Sequence, residues 1–269
     1  MKWVNKPEMF SWFYFLGFLG VIAFCTLGIV LGKIFPVKKD YKKTALVLFI
    51  AELILIALEL FKQIFILTSN NHYDWNLFPF QICSMIVYVL PILSIFRKGI
   101  VKEAVQGFIA FFCVAGATFY FFKPAAALNA DYILISLQSF LWHWLIIGIG
   151  SFIITSYEMF KKKQLHIMLG GYVFFIALAV IAAVVDYIAY LTNPGLQLNY
   201  FYIAYDIKPF YPVLNLIFKE PKPYLLYFVV FLIYFGIGAL AIYGISRLID
   251  IIVQSILKIN ATKASKAKA

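Results

Sequence analysis

Seven long apolar runs, each separated from the next by a polar or mixed segment, account for most of the chain. Each run holds roughly 20 residues, which is the length that an α-helix needs to cross the hydrocarbon core of a bilayer. The pattern predicts an all-α, polytopic membrane protein with a seven-transmembrane-helix bundle, and Pro79 is expected in the first turn of the third helix. The predicted spans are 11–33, 44–68, 77–96, 99–122, 132–157, 165–191 and 223–250.

Lysine and arginine favour alternate connections between these spans, which predicts the orientation of the bundle. The connection between the second and third spans has none, and that between the fourth and fifth has only Lys123. The connections after the first, third and fifth spans and the C-terminal segment carry Lys33, Lys38, Lys39, Lys42, Lys43, Arg97, Lys98, Lys102, Lys161, Lys162, Lys163, Arg247, Lys258, Lys263, Lys266 and Lys268. Because positively charged loops stay on the cytoplasmic side, the N-terminus is expected outside and the C-terminus in the cytoplasm.

Two segments differ in composition from the spans. Residues 192–222 form a long connection that holds four of the ten prolines and several tyrosines. Long aromatic connections commonly cover a binding site on a rigid scaffold, so this segment is expected to be an outer loop or lid. Residues 258–269 are rich in lysine and alanine, and they are predicted to form a basic, disordered, cytoplasmic tail.

The composition excludes a soluble globular protein, because 64% of the 269 residues are hydrophobic. The formal net charge is +11, but the positive charges lie in loops beside an anionic leaflet. Membrane lipids, and no nucleic acid, are therefore the expected partners. The three cysteines fall in apolar runs, and the chain has neither a Cys-x-x-Cys pair nor a nucleotide-binding loop. No metal and no cofactor are expected.

The candidate chemistry is a thiol and an imidazole within apolar spans, Cys83 at the start of the third and His143 in the fifth. Such a pair can act as nucleophile and general base. A thiol in apolar surroundings stays protonated unless a charged or basic group lies near it, so catalysis requires His143 or Lys62 close to Cys83. The spacing leaves open whether these residues meet. The alternative is that both are packing residues, since buried cysteine often serves as a small hydrophobe.

Acidic residues interrupt the second span. Glu52 and Glu59 are seven residues apart, hence on one helix face, and Lys62 and Gln63 follow Glu59 on that face. A charged side chain at membrane depth costs roughly 2.5–3.5 kcal/mol, so Glu59 and Lys62 are expected to neutralise each other. The pair is either a structural ion pair or part of a functional site.

Further polar residues are expected to support the thiol and the imidazole. Gln81 and Ser84 flank Cys83, and either can donate a hydrogen bond to an oxyanion that forms there. Ser139 precedes His143 by about one helical turn, so the two side chains share a face of the fifth helix.

Several motifs together resemble the YwaF / transmembrane-protein-164 family of integral membrane proteins over nearly the whole chain. They are Phe78-Pro-Phe-Gln-Ile-Cys83, His143, Asn199-Tyr200, Lys208-Pro209 and Glu220-Pro-Lys-Pro-Tyr224. Animal members of that family are implicated as lipid acyltransferases that use a cysteine and a histidine. The family also has bacterial members, so a bacterial plasma membrane is the expected location.

The resemblance implies that Cys83 accepts an acyl group and that His143 is its base. It also implies supporting roles for Asn199, Tyr200 and Lys208 in the outer loop. The chain departs from the family where a histidine is often found two residues before the cysteine, because Gln81 occupies that position.

Three functions from different classes are compatible with these features. The first is a lipid acyltransferase that moves a fatty acyl group between phospholipids through a Cys83 thioester. The second is a transporter or lipid-binding protein with a polar pathway along the second helix, lined by Glu52, Glu59, Lys62, Gln138 and Asp186. The third is a non-catalytic membrane scaffold. The sequence leaves the oligomeric state open.

Overall fold

The computed structural model describes residues 7–8, 10–70, 73, 75–122, 124, 128, 131–160, 165–193, 196, 198–219 and 222–266. Within these residues every regular element is helical. The long helices are α1 (Trp12–Ile34), α2 (Tyr41–Asn70), α4 (Ile100–Phe122), α5 (Ile133–Ser156), α6 (Leu165–Thr192) and α8 (Tyr224–Lys266). The short helices are α3 (Ile86–Ile95) and α7 (Pro212–Ile217), and single 3-10 turns cover Trp75–Leu77 and Tyr200–Tyr202.

The six long helices are each long and apolar enough to cross a membrane, and α3 is a shorter apolar helix. The prediction of an all-α, multi-pass membrane protein is confirmed, while the orientation in the membrane remains a prediction. The outer faces of the bundle expose large apolar side chains such as Leu19, Ile64, Val173 and Ile237. An exposed apolar surface of this extent is typical of contact with lipid hydrocarbon.

The third predicted span differs from the structure in its first half. Residues 78–85 form turns, and the helix begins only at Ile86. Pro79 is therefore not in a helical first turn, and Cys83 lies in non-helical backbone instead of just inside a helix. The physical reason is that proline restricts the preceding residue to extended conformations, while protein side chains satisfy the backbone groups that a helix would otherwise pair.

The middle of α4 lies at the centre of the bundle. Its Phe108–Cys113 segment is π-helical, and all six residues are buried. Helices α5, α6 and α8 pack around this segment. A π-helical segment re-aims the side chains that follow it and often occurs at functional sites. Here it directs Cys113 at the backbone immediately before Cys83, because the Cys113 sulfur lies 3.6 Å from the carbonyl oxygen of Ile82.

Glycines allow the helices to approach closely at two crossings. A Cβ on Gly171 of α6 would lie 2.4 Å from the carbonyl carbon of Gly107 in α4. A Cβ on Gly28 of α1 would lie 2.2 Å from the carbonyl oxygen of Gly148 in α5. Small residues at such crossings let membrane helices pack backbone against backbone, so these positions determine how two pairs of helices are spaced.

The outer loop packs onto the bundle over much of its described length, since Phe201 and Leu214 are 0% exposed. Its role as a lid remains a prediction. At the C-terminus, α8 continues to Lys266, so the predicted disordered tail is helical as far as that residue. Lysine and alanine both favour helices, which explains the difference. The remaining tail residues, and Glu220 and Pro221 of the predicted motif, lie outside the described residues.

Replacing Gly171 with alanine is expected to destabilise the protein, because the new methyl group would overlap the α4 backbone at Gly107. Overpacking of this kind typically costs about 1–3 kcal/mol. The matched control is Gly170→Ala, whose Cβ would make an ordinary 3.5 Å contact with Ala104. Thermal unfolding in detergent should show a lower Tm for Gly171→Ala alone, and equal Tm values in the two variants would contradict the close crossing.

Candidate functional site

Cys83 is a half-buried free cysteine in the turns that precede α3. The fully buried Cys113 donates a hydrogen bond from its thiol to the carbonyl oxygen of Ile82 and so holds these turns from the α4 side. Ser84 and Lys62 lie close enough to Cys83 to act on its sulfur electrostatically. Lys62 favours the thiolate form of Cys83, whereas burial and the carboxylate of Glu59 act against it.

The predicted ion pair on α2 is present, and it is joined to the segment that leads to Cys83. The ammonium of Lys62 lies 2.7 Å from Oε1 of Glu59. The amide of Gln63 donates to the same Glu59 oxygen at 2.6 Å and to the carbonyl oxygen of Leu77 at 2.7 Å. The α2 face thus positions Lys62 and ties down the start of the non-helical segment.

His143 is buried in α5 and has a defined orientation. Its Nδ1 lies 2.7 Å from the carbonyl oxygen of Ser139. A carbonyl oxygen can only accept, so Nδ1 carries the proton and Nε2 is left with a free lone pair. Nε2 has no hydrogen-bond partner in the described part of the chain. This tautomer of the imidazole is the one that can act as a general base through Nε2.

Tyr120 of α4 holds the imidazole ring from one face. The ring centroids of Tyr120 and His143 are 3.6 Å apart, and the rings are parallel within 2°. The Tyr120 hydroxyl is 2.6 Å from the hydroxyl of Ser139, so Ser139 contacts both aromatic residues. The predicted proximity of Ser139 to His143 is present, whereas Tyr120 has no signal in the sequence because only the tertiary packing of α4 on α5 brings it there.

No hydrogen bond joins Cys83 to His143 among the described residues. The two are linked through Lys62, which acts electrostatically on the thiol and on the imidazole. Of the four predicted residues, Lys62 and Glu59 are in direct contact.

The outer loop is fastened to the Cys83 segment through Gln81. The Gln81 amide donates to the carbonyl oxygen of Asn199 at 3.0 Å. The backbone N–H of Asn199 donates to the side chain of Asn76 at 3.0 Å, and its own side-chain oxygen accepts from the N–H of Ala204 at 3.1 Å. Gln81 and Asn199 thus have structural roles that join two loops over the site.

Tyr200 and Asp186 form the second attachment of this loop. The backbone N–H of Tyr200 donates to the carboxylate of Asp186 in α6 at 3.1 Å, and its hydroxyl donates to the carbonyl oxygen of Trp75 at 3.1 Å. The partner that Asp186 requires at membrane depth is therefore the outer loop. Lys208, by contrast, is exposed, and the structure does not bring it to the Cys83 cluster.

Two tyrosines of the outer loop form an aromatic wall beside Cys83. Burial raises the pKa of the Tyr202 phenol above its ordinary value, and the nearby Cys83 adds to the shift. Burial also raises the pKa of Tyr211, again with contributions from Tyr202 and Cys83. Both phenols therefore remain neutral hydrogen-bond donors at physiological pH. In the sequence, both tyrosines belong to the aromatic connection 192–222, and no local pattern assigns them to the site.

The backbone beside this wall is strained. Phe201 and Tyr202 have φ values of 52° and 60°, in the left-handed region that bulky side chains rarely adopt. Strain of this kind costs on the order of 1–3 kcal/mol per residue and persists where the surroundings impose it, often at functional sites. Phe80, three residues before Cys83, packs against Tyr200 and Phe201 with ring centroids 5.3 and 6.1 Å apart.

The other polar residues of α5 have local partners. Gln138 donates to the carbonyl oxygen of Leu58 in α2 at 3.3 Å, which connects α5 to the α2 face that carries Glu59. Ser136 donates to the carbonyl oxygen of Tyr132 at 3.3 Å. No group of three or more His, Cys, Asp and Glu residues with metal-binding geometry occurs in the part of the chain that the structure describes.

Tyr120 offers a test of the His143 environment. Tyr120→Phe keeps the stacked ring but removes the hydrogen bond to Ser139, which is expected to cost about 1 kcal/mol of stability. Tyr120→Leu removes the stacked ring as well and should lower the thermal unfolding temperature in detergent further. The same measurement on Tyr132→Phe, at the N-terminal end of α5, serves as a control for general loss of a phenol. An equal Tm for Tyr120→Phe and Tyr120→Leu would contradict a supporting role for the stacked ring.

Comparisons with known proteins agree with the motifs around this site. No curated protein and no solved structure matches the chain. A family model, that of the TMEM164 family, matches residues 6–243. The match covers nearly the whole chain and includes the segments that carry Cys83, His143 and the outer loop. The chain therefore belongs to the TMEM164 family, as its resemblance to the transmembrane-protein-164 family predicted.

Proposed function

We propose that this protein transfers fatty acyl groups between membrane lipids through a thioester on Cys83. The observation that carries the proposal is the state of His143, whose Nδ1 proton is committed to the Ser139 carbonyl oxygen while Nε2 remains available. A neutral imidazole with one free nitrogen, a half-buried thiol and a neighbouring ammonium form a set that suits nucleophilic acyl transfer. The membrane around them supplies the ester substrates.

In the first half-reaction, the sulfur of Cys83 attacks the ester carbonyl carbon of a phospholipid while Nε2 of His143 accepts the thiol proton. The resulting tetrahedral oxyanion collapses, the bond between the carbonyl carbon and the glycerol oxygen breaks, and the imidazolium returns its proton to the departing oxygen. The products are a Cys83 thioester and a lysophospholipid. Protein groups are needed in two places, as a base for the thiol and as an acid for the leaving oxygen, and His143 serves in both.

In the second half-reaction, a hydroxyl group of an acceptor lysolipid attacks the thioester carbonyl carbon. His143 accepts the hydroxyl proton and then returns it to the sulfur when the carbon–sulfur bond breaks. The acyl group now resides on the acceptor lipid, and Cys83 and His143 have regained their starting protonation states. No cofactor enters either half-reaction.

Lys62 is the proposed electrostatic partner of both steps. Its ammonium acts on Cys83 and on His143, where it favours the thiolate and the oxyanion and keeps the resting imidazole neutral. Glu59 compensates the buried ammonium at 2.7 Å, because an unpaired charge at this depth would be costly. Lys62→Met should therefore slow thioester formation, and it should also destabilise the fold because Glu59 loses its neutralising cation.

The outer loop has a distinct part in this proposal. Gln81 and Tyr200 fasten it over the Cys83 segment, and the neutral phenols of Tyr202 and Tyr211 line the side of the site that faces it. An apolar, aromatic wall suits an acyl chain, and a closed loop excludes water, which would otherwise hydrolyse the thioester.

The direct test is intact-mass analysis of the purified protein after incubation with phosphatidylcholine. We expect a mass increase of one fatty acyl group that maps to Cys83 and is released by hydroxylamine. Cys83→Ala should abolish the adduct and the exchange of labelled acyl chains between lipids, and His143→Gln should reduce both by about 10²–10⁴-fold, the usual contribution of a general base.

Two matched controls use the same residue types elsewhere in the chain. Cys25→Ala removes a half-buried thiol in α1, and His166→Gln removes an exposed histidine that lies 3.3 Å from Glu103. Both variants should retain adduct formation and exchange. Acyl exchange that persists in Cys83→Ala and His143→Gln would overturn the proposed function.

A second function is favoured by one further observation. Glu52 of α2 is only 4% exposed, and neither of its carboxylate oxygens has a hydrogen-bond partner in the described residues. An ionisable group at membrane depth without a partner is often part of an ion or proton pathway. With Glu59 two helical turns away, Glu52 suits a proton-coupled transporter.

The transporter proposal is tested with proteoliposomes that contain a pH-sensitive dye and carry an imposed pH gradient. If Glu52 relays protons, Glu52→Gln should abolish the protein-dependent dissipation of the gradient. Asp40→Asn, in the loop between α1 and α2, is the control and should leave the rate unchanged. A gradient that decays at the same rate with and without the wild-type protein would count against this function.

A further inference from the structure

A cleft of about 280 Å³ opens at the end of the bundle opposite to Cys83. The chain directions of the helices place it there, because α5 passes His143 before it reaches Ser151, and α1 ends near Lys33. The lining of the cleft includes Cys25, Ile29 and Lys33 of α1, Ser151 and Ile154 of α5, and Asp250 of α8. Its walls are thus formed by one stripe each from α1, α5 and α8.

The cleft exists because α1 follows α5 closely and α8 does not. The glycine crossing of Gly28 against Gly148 continues at Gly32, whose Cβ would lie 2.6 Å from Thr155. Helix α8 packs instead on α4 and α6. Near the cleft its attachments are the hydrogen bond from Arg247 to the carbonyl oxygen of Phe160 and the ring contact between Phe160 and Tyr243.

The inner end of the cleft offers few free hydrogen-bond donors to water. The Ser151 hydroxyl donates to the sulfur of Cys25 at 3.4 Å, and the Thr155 hydroxyl donates to the carbonyl oxygen of Ser151 at 2.9 Å. These hydroxyl protons are therefore committed within the protein. Ile29 and Ile154 also line the cleft, so an apolar chain suits this part of it.

The mouth of the cleft carries charges of both signs. Lys33 in the last turn of α1 and the half-buried Asp250 of α8 have no ion-pair or hydrogen-bond partner among the residues that the structure describes. Glu158 is paired with Lys38 at 2.5 Å. From Lys33 to Cys25 the cleft runs along eight residues of helix, or roughly 12 Å, which reaches well into one leaflet of a ~30 Å hydrocarbon core.

We propose that this cleft binds one phospholipid with a zwitterionic headgroup, at a site separate from the Cys83 cluster. The phosphate faces Lys33, the ammonium faces Asp250, and one acyl chain runs inward past Ile29 and Ile154. A ligand of this kind satisfies both free charges at once and fills the apolar end. An anionic lipid would leave Asp250 without a cation, and a soluble ion would leave the apolar end empty.

The test uses the full-length protein in vesicles of phosphatidylcholine that carry a photoactivatable group on one acyl chain. After illumination, peptide mapping should show cross-links concentrated at Ile29 and Val253 and few at Leu27 and Ile252, which lie on the same helices but outside the cleft lining. Ile29→Trp fills the cleft and should abolish the concentrated cross-links. Leu27→Trp is the matched control and should leave them unchanged.

A second comparison, between two lipids, tests which headgroup the cleft prefers. Photoactivatable phosphatidylglycerol lacks the ammonium and should give weaker cross-linking at Ile29, and Asp250→Asn should remove the difference between the two lipids. Cross-links spread evenly over cleft and outer residues, and insensitive to Ile29→Trp, would overturn the site. Equal labelling by both lipids in the wild type would overturn the zwitterionic specificity. Size-exclusion elution reports folding of each variant, and neither outcome depends on chemistry at Cys83.

Discussion

The structure depends on one constraint, which is that backbone polar groups at membrane depth must be satisfied by the protein itself. The turns before α3 break the helical pattern at the place where Cys83 lies. Side chains from α2 and α4 replace the missing helical bonds, since Gln63 donates to Leu77 and Cys113 donates to Ile82. Gln81 of the turns in turn binds the outer loop at Asn199. The non-helical segment is stable only because side chains from neighbouring elements pair with its backbone carbonyl groups.

The same arrangement explains why polar residues in an apolar bundle converge. Glu59 cannot remain charged in the bilayer without a partner, so Lys62 lies against it. The amide of Gln63 donates a hydrogen bond to the same Glu59 oxygen. Once Lys62 is held there, its field reaches both Cys83 and His143. Lys62 therefore neutralises the buried Glu59 carboxylate and also acts electrostatically on both candidate residues.

The two ends of the bundle differ in how they are closed. At the Cys83 end, buried aromatic residues of the outer loop pack onto the helices, and Phe201 and Tyr202 accept strained backbone conformations to do so. At the other end, glycine crossings draw α1 onto α5 and leave a gap towards α8. A membrane protein that handles lipids at one end and holds a lipid at the other would have a structural reason for this asymmetry.

The sequence alone determined the fold class, because runs of about 20 apolar residues have few alternatives to membrane helices. It also determined the Glu59–Lys62 pair, since residues three apart on a helix face each other. It placed Ser139 beside His143 for the same reason. These features rest on local periodicity, which is readable without any knowledge of how the helices pack.

Only the tertiary structure decided the features that join distant segments. Helical periodicity predicted that Cys83 lies inside a helix, but contacts from α2, α4 and the outer loop stabilise turns there instead. The stacking of Tyr120 on His143 and the approach of Tyr202 to Cys83 depend on packing between elements far apart in sequence. The cleft beside Cys25 arises from where three helices fail to meet, and no local pattern encodes a gap between helices.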